Sequence, residues 1–268
     1  MSWRALAVGA AGAWVAYAWG AHLFTAQCVR RGDARAPRIA LTFDDGPDPV
    51  WTPRVLDLLA ARDVRASFFV VGERAARAPD VVRSIARAGH DVGSHGWSHK
   101  SLWLAGPRAT AVEIGRTHAF LSDLLGREPR HFRPPWGMVN LAMFPLLRRL
   151  GLSCVLWSIQ PEGLRPVGPL EQSRYVVGHA HAGAIVDLHD AEGTPRAPER
   201  LSAALPQMTD GLRDAGWELT TLGELLGHGP RDRGKWGASK GPRRPPRSGA
   251  PRGTRGAPRF CARPGSPT

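Results

Sequence analysis

The chain has 268 residues, enough for one large domain or two small ones with a substantial hydrophobic core. Its formal net charge of +13 would suggest a nucleic-acid-binding protein, but eleven of its 36 Lys and Arg residues lie in residues 227–268 with a single acidic residue. The rest of the chain carries only +3, so we expect no specific nucleic-acid partner. Cys28, Cys154 and Cys261 show neither metal-site spacing nor a disulfide framework.

The chain divides by composition into three parts. Residues 227–268 are rich in Gly, Pro and Arg and nearly free of aliphatic side chains, so they bury too little apolar surface to fold. We predict a disordered basic tail there, a folded domain over residues 37–226, and a separate N-terminal segment over residues 1–36. The folded domain is expected to be monomeric.

The N-terminal segment contains an almost uninterrupted apolar run over residues 5–29, between Arg4 and the pair Arg30-Arg31. About 20 apolar residues span a bilayer, so the run predicts a single-pass membrane anchor or, if it is cleaved, a signal peptide. Both interpretations predict a folded domain outside the cytoplasm. The arginines after the run argue against that orientation, because positive flanks favour the cytoplasmic side.

From Arg38 onward, short apolar segments alternate with amphipathic segments that begin near a proline, which is typical of strand–helix repeats. The apolar segments look buried on both faces, as in a parallel sheet covered by helices. We predict strands at 39–43, 66–71, 91–94, 131–133, 153–158, 184–189 and 218–220. We predict helices at 53–61 (with Thr52 as its N-cap), 79–88, 107–125, 141–150, 170–181, 198–215 and 222–226. The pattern predicts an α/β fold, a distorted (β/α) barrel of about seven parallel strands.

The segment T-F-D-D-G-P at 42–47 follows the first predicted strand and contains the adjacent carboxylates of Asp44 and Asp45. Adjacent like charges are costly unless a cation lies between them. Alone, the segment is equally typical of a surface turn. His95 and His99 change this interpretation, because two imidazoles and one aspartate suffice to bind a divalent metal that keeps positions open for water and substrate.

Two further residues lie at predicted strand ends. Arg133 begins the rigid turn R-P-P-W-G, where it either makes an ordinary structural ion pair or holds one of the two carboxylates ionised. His189 ends the predicted strand 184–189, and a lone histidine there is more often a packing residue than a catalytic one. In a parallel barrel, however, all these strand ends share one edge, which favours a single site.

Taken together, these segments resemble the polysaccharide deacetylase family, the NodB-homology carbohydrate esterases. The matching segments are T-F-D-D-G-P at 42–47, H-G-W-S-H at 95–99, R-P-P-W-G at 133–137 and I-V-D-L-H-D at 185–190. The resemblance covers roughly residues 38–226. It implies the NodB-homology fold and a hydrolase that removes N-acetyl groups from a polysaccharide such as peptidoglycan or a chitin-like polymer.

The resemblance also implies a role for each matching residue. Its metal ligands would be Asp45, His95 and His99. The expected ion is Zn²⁺, with Co²⁺, Mn²⁺ and Ni²⁺ as alternatives. Asp44 would be the general base, oriented by Arg133, and His189 would protonate the leaving amine. The expected substrate-binding residues are Pro134, Trp136 and Leu188.

The family's fourth motif, D-x-x-D-W, is missing, because the chain reads Q-P-E-G-L at 160–164. In the family an aspartate of this motif bonds the catalytic histidine and keeps its pKa high enough for proton donation. Glu162 and Asp187 are the candidate substitutes. Gly96 also stands where the family usually has Ser or Thr. The missing hydroxyl would support the metal-site loop and is not itself a metal ligand.

Two other functions stay open. One is a metal hydrolase of other non-peptide C–N bonds, since some members of this fold attack small cyclic amides. The other is a weakly active carbohydrate-binding relative, which the missing fourth motif favours. Under each of them a carbohydrate or amide ligand and, through residues 5–29, a membrane are the expected partners.

Overall fold

Seven parallel strands organise the computed structural model, which describes residues 3–163 and 165–228. The strands are β1 (Arg38–Asp44), β2 (Ser67–Val70), β3 (Asp91–Ser94), β4 (His131–Phe132), β5 (Ser153–Cys154), β6 (Ala184–His189) and β7 (Glu218–Thr220). Their hydrogen-bonded order is β5-β4-β3-β2-β1-β6, and β7 pairs with the beginning of β1. This curled parallel sheet confirms the predicted fold class.

Among the described residues, one α-helix precedes the first strand, one follows the last strand, and the others lie in the connections between strands. They are α1 (Trp3–Trp19), α2 (Trp51–Ala60), α3 (Gly72–Arg77), α4 (Pro79–Arg87), α5 (Pro107–Leu125), α6 (Met143–Arg149), α7 (Pro169–Gly178), α8 (Ala197–Asp214) and α9 (Leu222–Leu225). The sequence pattern did not predict α3. Its sequence, G-E-R-A-A-R, is too short and too polar to show helical periodicity.

The strands supply alternating faces to two apolar layers. Leu41, Phe43 and Val186 pack outward with residues of α2 and α8, while Ala40 and Ile185 belong to an inner cluster. Every residue of β1 after its first is buried, as expected of a strand covered on both faces.

The barrel closes irregularly beside β5. The predicted strand 153–158 is regular only over Ser153–Cys154, because the chain then changes partners. Val155 forms an isolated parallel bridge with Val29, and Ile159 forms one with Val186 on β6. The segment after β5 therefore passes from β4 to β6 across the open side of the sheet, and it does not form one continuous strand.

The predicted N-cap of α2 is wrong. The helix begins at Trp51, and Asp48 Oδ1 accepts hydrogen bonds from the backbone N–H groups of Val50 and Trp51, both at 2.8 Å. The hydroxyl of Thr52 instead lies in the first turn and donates to Asp190. The N-cap position itself is held by Val50, and Asp48, two residues earlier, satisfies two N–H groups at the start of the helix.

The predicted apolar run 5–29 divides into α1 and a 3₁₀ segment over Gly20–Gln27. In the described part of the chain, no helix has both the length and the apolar character needed to cross a membrane. The predicted disordered tail lies outside the described residues from position 229 onward, as does Leu164.

Candidate metal centre and active site

Four of the predicted site residues meet at the carboxyl edge of the sheet. Asp44 is the last residue of β1 and is paired in register with His189, the last residue of β6. His95 follows β3 directly, and Arg133 follows β4. The parallel arrangement therefore brings together residues that are up to 145 positions apart, because every strand ends at the same edge.

The two adjacent carboxylates have different partners. Asp45 has a φ of 73°, so the chain turns sharply after the strand and the two side chains diverge. Asp44 Oδ1 accepts from Arg133 Nη1 at 2.7 Å, whereas Asp45 Oδ1 lies 2.8 Å from His99 Nε2. Each carboxylate is almost fully buried. Burial makes these specific partners necessary, since a buried charge is costly when unpaired.

Asp45, His95 and His99 form the group that could hold a metal ion. One ligand atom from each lies within 4.8 Å of the others. His95 Nδ1 donates to the backbone oxygen of Arg133 at 2.8 Å, so that Nε2 faces the group and can serve as its ligand atom. Burial alone would raise the pKa of Asp45, but hydrogen bonds from the two histidines hold it well below its usual range. An ionised carboxylate and two imidazoles fit a divalent metal such as zinc.

Glu113 holds the loop between the two histidines. This α5 residue accepts from the backbone N–H groups of Trp97 and Ser98 at 2.9 and 2.8 Å, and from the Ser98 hydroxyl at 2.6 Å. Gly96 has a φ of +79°, a conformation that Ser or Thr would adopt only with strain. The support expected from a residue-96 hydroxyl thus comes from a carboxylate on another element. The sequence offered one signal, a glutamate on the buried face of a helix.

Arg133 is fully buried and connects the site to the strands around it. Its guanidinium lies over the Phe69 ring, 4.2 Å from the centroid. It donates to three side chains and two backbone carbonyls: Asp44 at 2.7 Å, Thr42 at 2.8 Å, Asp187 at 3.2 Å, Leu156 at 3.2 Å and Val155 at 3.4 Å. With so many partners the guanidinium is rigid, and it fixes the Asp44 carboxylate in one orientation.

The loop after β6 packs closely against Asp45. A Cβ atom at Gly193 would lie 1.9 Å from Asp45 Oδ2, so only glycine fits there. Arg74 on α3 donates to the backbone oxygens of Asp45 and Glu192, both at 2.8 Å, and joins this loop to the one after β1. Neither residue was singled out from the sequence, because these contacts depend on the three-dimensional approach of two loops.

Comparison with known proteins identifies the family. Residues 31–155 match the family model described as polysaccharide deacetylase. A peptidoglycan-N-acetylglucosamine deacetylase of Bacillus cereus is 36% identical over 190 residues, which cover 70% of this chain and 87% of that protein. The chain belongs to the polysaccharide deacetylase family. This confirms the resemblance found in the sequence and, with it, the predicted class of enzyme.

Two further comparisons support this membership in the deacetylase family. A chitooligosaccharide deacetylase of Sinorhizobium fredii is 32% identical over 206 residues, covering 72% of this chain and 94% of that protein. The crystal structure of the Bc1960 peptidoglycan N-acetylglucosamine deacetylase superimposes with a TM-score of 0.71 at 28% identity. That match covers 75% of this chain and 93% of the other.

The region of the family's fourth motif has a different arrangement in this deacetylase. Glu162 pairs with Arg200 at 2.7 Å and accepts from the backbone N–H of Val167. Its charge still raises the pKa of His189, but by less than the charge of Asp187 does. Gln160 donates to Asp187 Oδ2 at 3.1 Å and accepts from Trp157 Nε1 at the same distance. Asp187 also accepts from Arg133 at 3.2 Å, so it shares this guanidinium with Asp44.

Asp187 and His189 influence one another electrostatically. They lie two residues apart on β6, hence on the same face of the strand. Burial, and then the charge of Asp44, raises the pKa of Asp187 to about 7. Burial alone would lower the pKa of His189, but the carboxylates of Asp187, Asp45 and Asp44 raise it. A histidine with a raised pKa keeps its proton to higher pH, as a proton donor needs.

The three predicted substrate-binding residues have different environments. Trp136 is 56% exposed, has a φ of 54°, and its ring centroid lies 4.5 Å from that of His99. Pro134 is buried in the turn that leads to it. Leu188 is also buried, but it packs in the outward apolar layer with Phe43, on the strand face opposite Asp187 and His189. Its placement therefore does not favour the predicted contact with substrate.

Proposed function

We propose that this deacetylase removes N-acetyl groups from an N-acetylated polysaccharide of the cell envelope, using a divalent metal held by Asp45, His95 and His99. The observation that carries the proposal is that the two neighbouring carboxylates have different partners. Asp45 contacts the two histidines, whereas Asp44 forms an ion pair with Arg133. When bound, a divalent metal lowers the pKa of a water and polarises the acetyl carbonyl. We propose zinc as the ion.

Asp44 is the proposed general base. It accepts the proton of the attacking water while Arg133 keeps its carboxylate oriented at 2.7 Å. Asp44 Oδ2 lies 3.7 Å from His95 Nε2, so the free oxygen faces the proposed metal ligands. That position suits a base acting on a water held there.

His189 is the proposed general acid. It is paired in register with Asp44 at the carboxyl edge of the sheet, and it donates its proton to the nitrogen of the leaving sugar amine as the C–N bond breaks. Asp187 supplies the negative charge that the missing fourth motif would provide. Its carboxylate is held from the other side by Arg133 and Gln160.

The exposed Trp136 marks the proposed substrate surface. An indole face beside the metal ligand His99 offers an apolar platform for a sugar ring or the acetyl methyl group. Pro134 holds the turn that presents it. The relatives named as acting on peptidoglycan and chitooligosaccharides support an N-acetylglucosamine-containing polymer as substrate.

The experiment is to measure acetate released from chitooligosaccharides and from purified peptidoglycan by the full chain with Zn²⁺ or Co²⁺ added. We expect release that Asp44→Asn and His99→Ala both abolish, because each removes a required group. Asp57→Asn, the same charge change at an exposed position of α2, is the matched control and should leave release unchanged. Sugar binding without release from a folded, metal-loaded protein would favour the weakly active binding relative instead.

We also propose that the N-terminal segment associates with a membrane and that the enzyme acts outside the cytoplasm. The support is the absence of charged residues from 5 to 29, together with exposed apolar side chains on α1 such as Val8, Trp14 and Val15. Flotation of the full chain with lipid vesicles tests this. Release of the protein from vesicles by deleting residues 1–27 would support the proposal, and equal flotation of both forms would contradict it.

A further inference from the structure

The N-terminal segment over residues 28–31 completes the wall of the barrel beside β5. Val29 donates to the backbone oxygen of Cys154 at 2.8 Å and accepts from the backbone N–H of Leu156 at 2.7 Å. Arg31 forms an antiparallel bridge with Ala184, the first residue of β6. This segment therefore acts as an additional strand in the gap between β5 and β6.

Cys28 and Cys154 meet at this junction. Their Sγ atoms lie 2.7 Å apart although the residues are 126 positions apart in the chain. Both side chains are buried, at 6% and 5% exposure, in an apolar cluster that also contains Phe144 and Leu152. Among the described residues, the group of three side chains placed to hold a metal ion is Asp45, His95 and His99, and neither cysteine belongs to it. The pair is therefore a thiol–thiol contact.

The backbone pairing holds the two thiols in register. Cys28 immediately precedes the bridge residue Val29, and Cys154 immediately precedes Val155, so the cysteines are neighbours across a parallel pair. Neighbouring residues of paired strands have the Cα separations that a disulfide can bridge. Forming the bond requires the sulfur atoms to approach by less than about 1 Å, to the covalent distance of ~2.05 Å.

We propose that Cys28 and Cys154 form a disulfide that locks the N-terminal segment onto the barrel. With glutathione disulfide as oxidant, the Cys28 thiolate attacks one of its sulfur atoms, a mixed disulfide forms, and one glutathione thiol leaves. The Cys154 thiolate then attacks Cys28 Sγ and releases the second glutathione thiol. Two protein thiols are oxidised and one glutathione disulfide is reduced to two thiols, so electrons and hydrogen atoms balance.

The electrostatics support Cys28 as the attacking thiol. The hydrogen bond with Cys154 lowers the pKa of Cys28 despite its burial, and the positive charge of Arg30 adds to this effect. The same contact raises the pKa of Cys154 well above its usual value, as burial also does. The thiolate is the reactive form in disulfide exchange, so these directions favour Cys28 as the first nucleophile.

The disulfide would act on the active site through the backbone. The carbonyls of Val155 and Leu156, one and two residues after Cys154, accept from the Arg133 guanidinium. Fixing Cys154 to the N-terminal segment therefore stiffens the backbone just after β5, whose carbonyls position Arg133. Disulfides of this kind persist in oxidising compartments, which agrees with the extracytoplasmic location proposed above but is tested independently of it.

The test uses the full chain with Cys261→Ser, so that only two thiols remain. The protein is equilibrated in a glutathione redox buffer, its free thiols are alkylated with N-ethylmaleimide under denaturing conditions, and intact and peptide masses are measured. We expect no alkylation, a mass lower by two hydrogen atoms, and one cross-linked peptide joining residues 28 and 154. Reduction should then lower Tm by about 5–15 °C.

A variant with Cys154→Ser in the same background is the control, since reductant should leave its Tm unchanged. Two alkylated thiols, or glutathione attached to both cysteines, in a folded protein would overturn the proposal. If Cys261→Ser impairs folding, peptide mapping of the wild-type chain checks the pairing instead. A cross-link from Cys261 to Cys28 or Cys154 in that chain would also contradict the proposal. None of these readouts depends on deacetylase activity.

Discussion

The metal side of the site, formed by Asp45, His95, His99 and Glu113, differs from the acid side, formed by Gln160, Asp187 and His189. On the metal side the proposed ligands come from two short segments that follow β1 and β3, and both segments match the family's motifs. On the acid side the family's usual motif is missing, and its place is taken by side chains of β6 and of the irregular crossing after β5.

The difference shows that electrostatic support is easier to replace than metal coordination. A metal ligand must place one atom within a few tenths of an ångström of a fixed position. A charge that raises the pKa of a histidine can act from several positions, because the Coulomb interaction falls off gradually with distance. Asp187 can therefore raise the pKa of His189 from the same strand, whereas the family's aspartate would act from another loop.

The largest effect expected on the acid side comes from His189→Asn. Loss of a general acid should lower kcat by about 10²–10⁴-fold on N-acetylglucosamine oligomers. The loss should be much smaller on an activated acetanilide, because its amine leaves without prior protonation. His179→Asn, at an exposed position of the domain surface, is the matched control. An equal loss on both substrates would assign His189 another role.

On the metal side, Glu113→Gln tests the support of the histidine loop. An amide of the same size has one acceptor atom instead of two, so the contacts to Trp97 and Ser98 cannot all be kept. We expect metal affinity to fall about 10–100-fold, measured by competition with a chelating dye. Glu128→Gln, which is exposed, should bind metal as the wild type does. Unchanged affinity in Glu113→Gln would show that the loop is held by other contacts.

Asp187→Asn tests how the acid side is supported. Above pH 7 the Asp187 carboxyl is largely ionised, and its charge raises the pKa of His189. Because His189 must be protonated to act, activity falls as the pH rises through its pKa. Removing the charge lowers that pKa, so the alkaline decline of kcat/KM should move to lower pH. A decline that stays in place or moves to higher pH would exclude Asp187 as the supporting charge.

The smallest effect is expected for Gln160→Leu. This change removes hydrogen bonds to Asp187 and Trp157 but leaves the charges intact. We expect a loss of about 1 kcal/mol in the free energy of unfolding, measured in urea, with turnover reduced less than in Asp187→Asn. Gln207→Leu on the exposed face of α8 controls for the added apolar surface. A larger loss of turnover than in Asp187→Asn would mean that Gln160 itself takes part in catalysis.

The parts of the site that the sequence predicted are those encoded in contiguous residues. The strand ends at Asp44 and His189, and the helix α5, were found at or near their predicted bounds because apolar runs and prolines mark them. Glu162 was a candidate for supporting His189, and its charge raises the pKa of His189 less than that of Asp187 does. It pairs with Arg200, whose position depends on how α8 packs. Glu113 and Gly193 escaped prediction for the same reason.

Leu188 shows a second limit of the sequence pattern. A motif position identifies a residue without stating which face of its strand it occupies, and the alternation of β6 directs this side chain into the outer apolar layer. The irregular chain after β5 could not be predicted either. Its partners, Val29 and Val186, lie on opposite sides of it in the sequence, one before it and one after it.

The most direct test of the central claim compares Asp44→Asn with Asp45→Asn by titrating each full chain with Co²⁺, followed by acetate release at saturating metal. We predict that Asp44→Asn binds Co²⁺ with the wild-type visible spectrum and loses turnover by about 10²–10⁴-fold. Asp45→Asn should bind the metal weakly, because the ionised oxygen facing both histidines is gone. If Asp44→Asn lost the metal while Asp45→Asn kept it and remained active, the assignment of base and ligand would be contradicted.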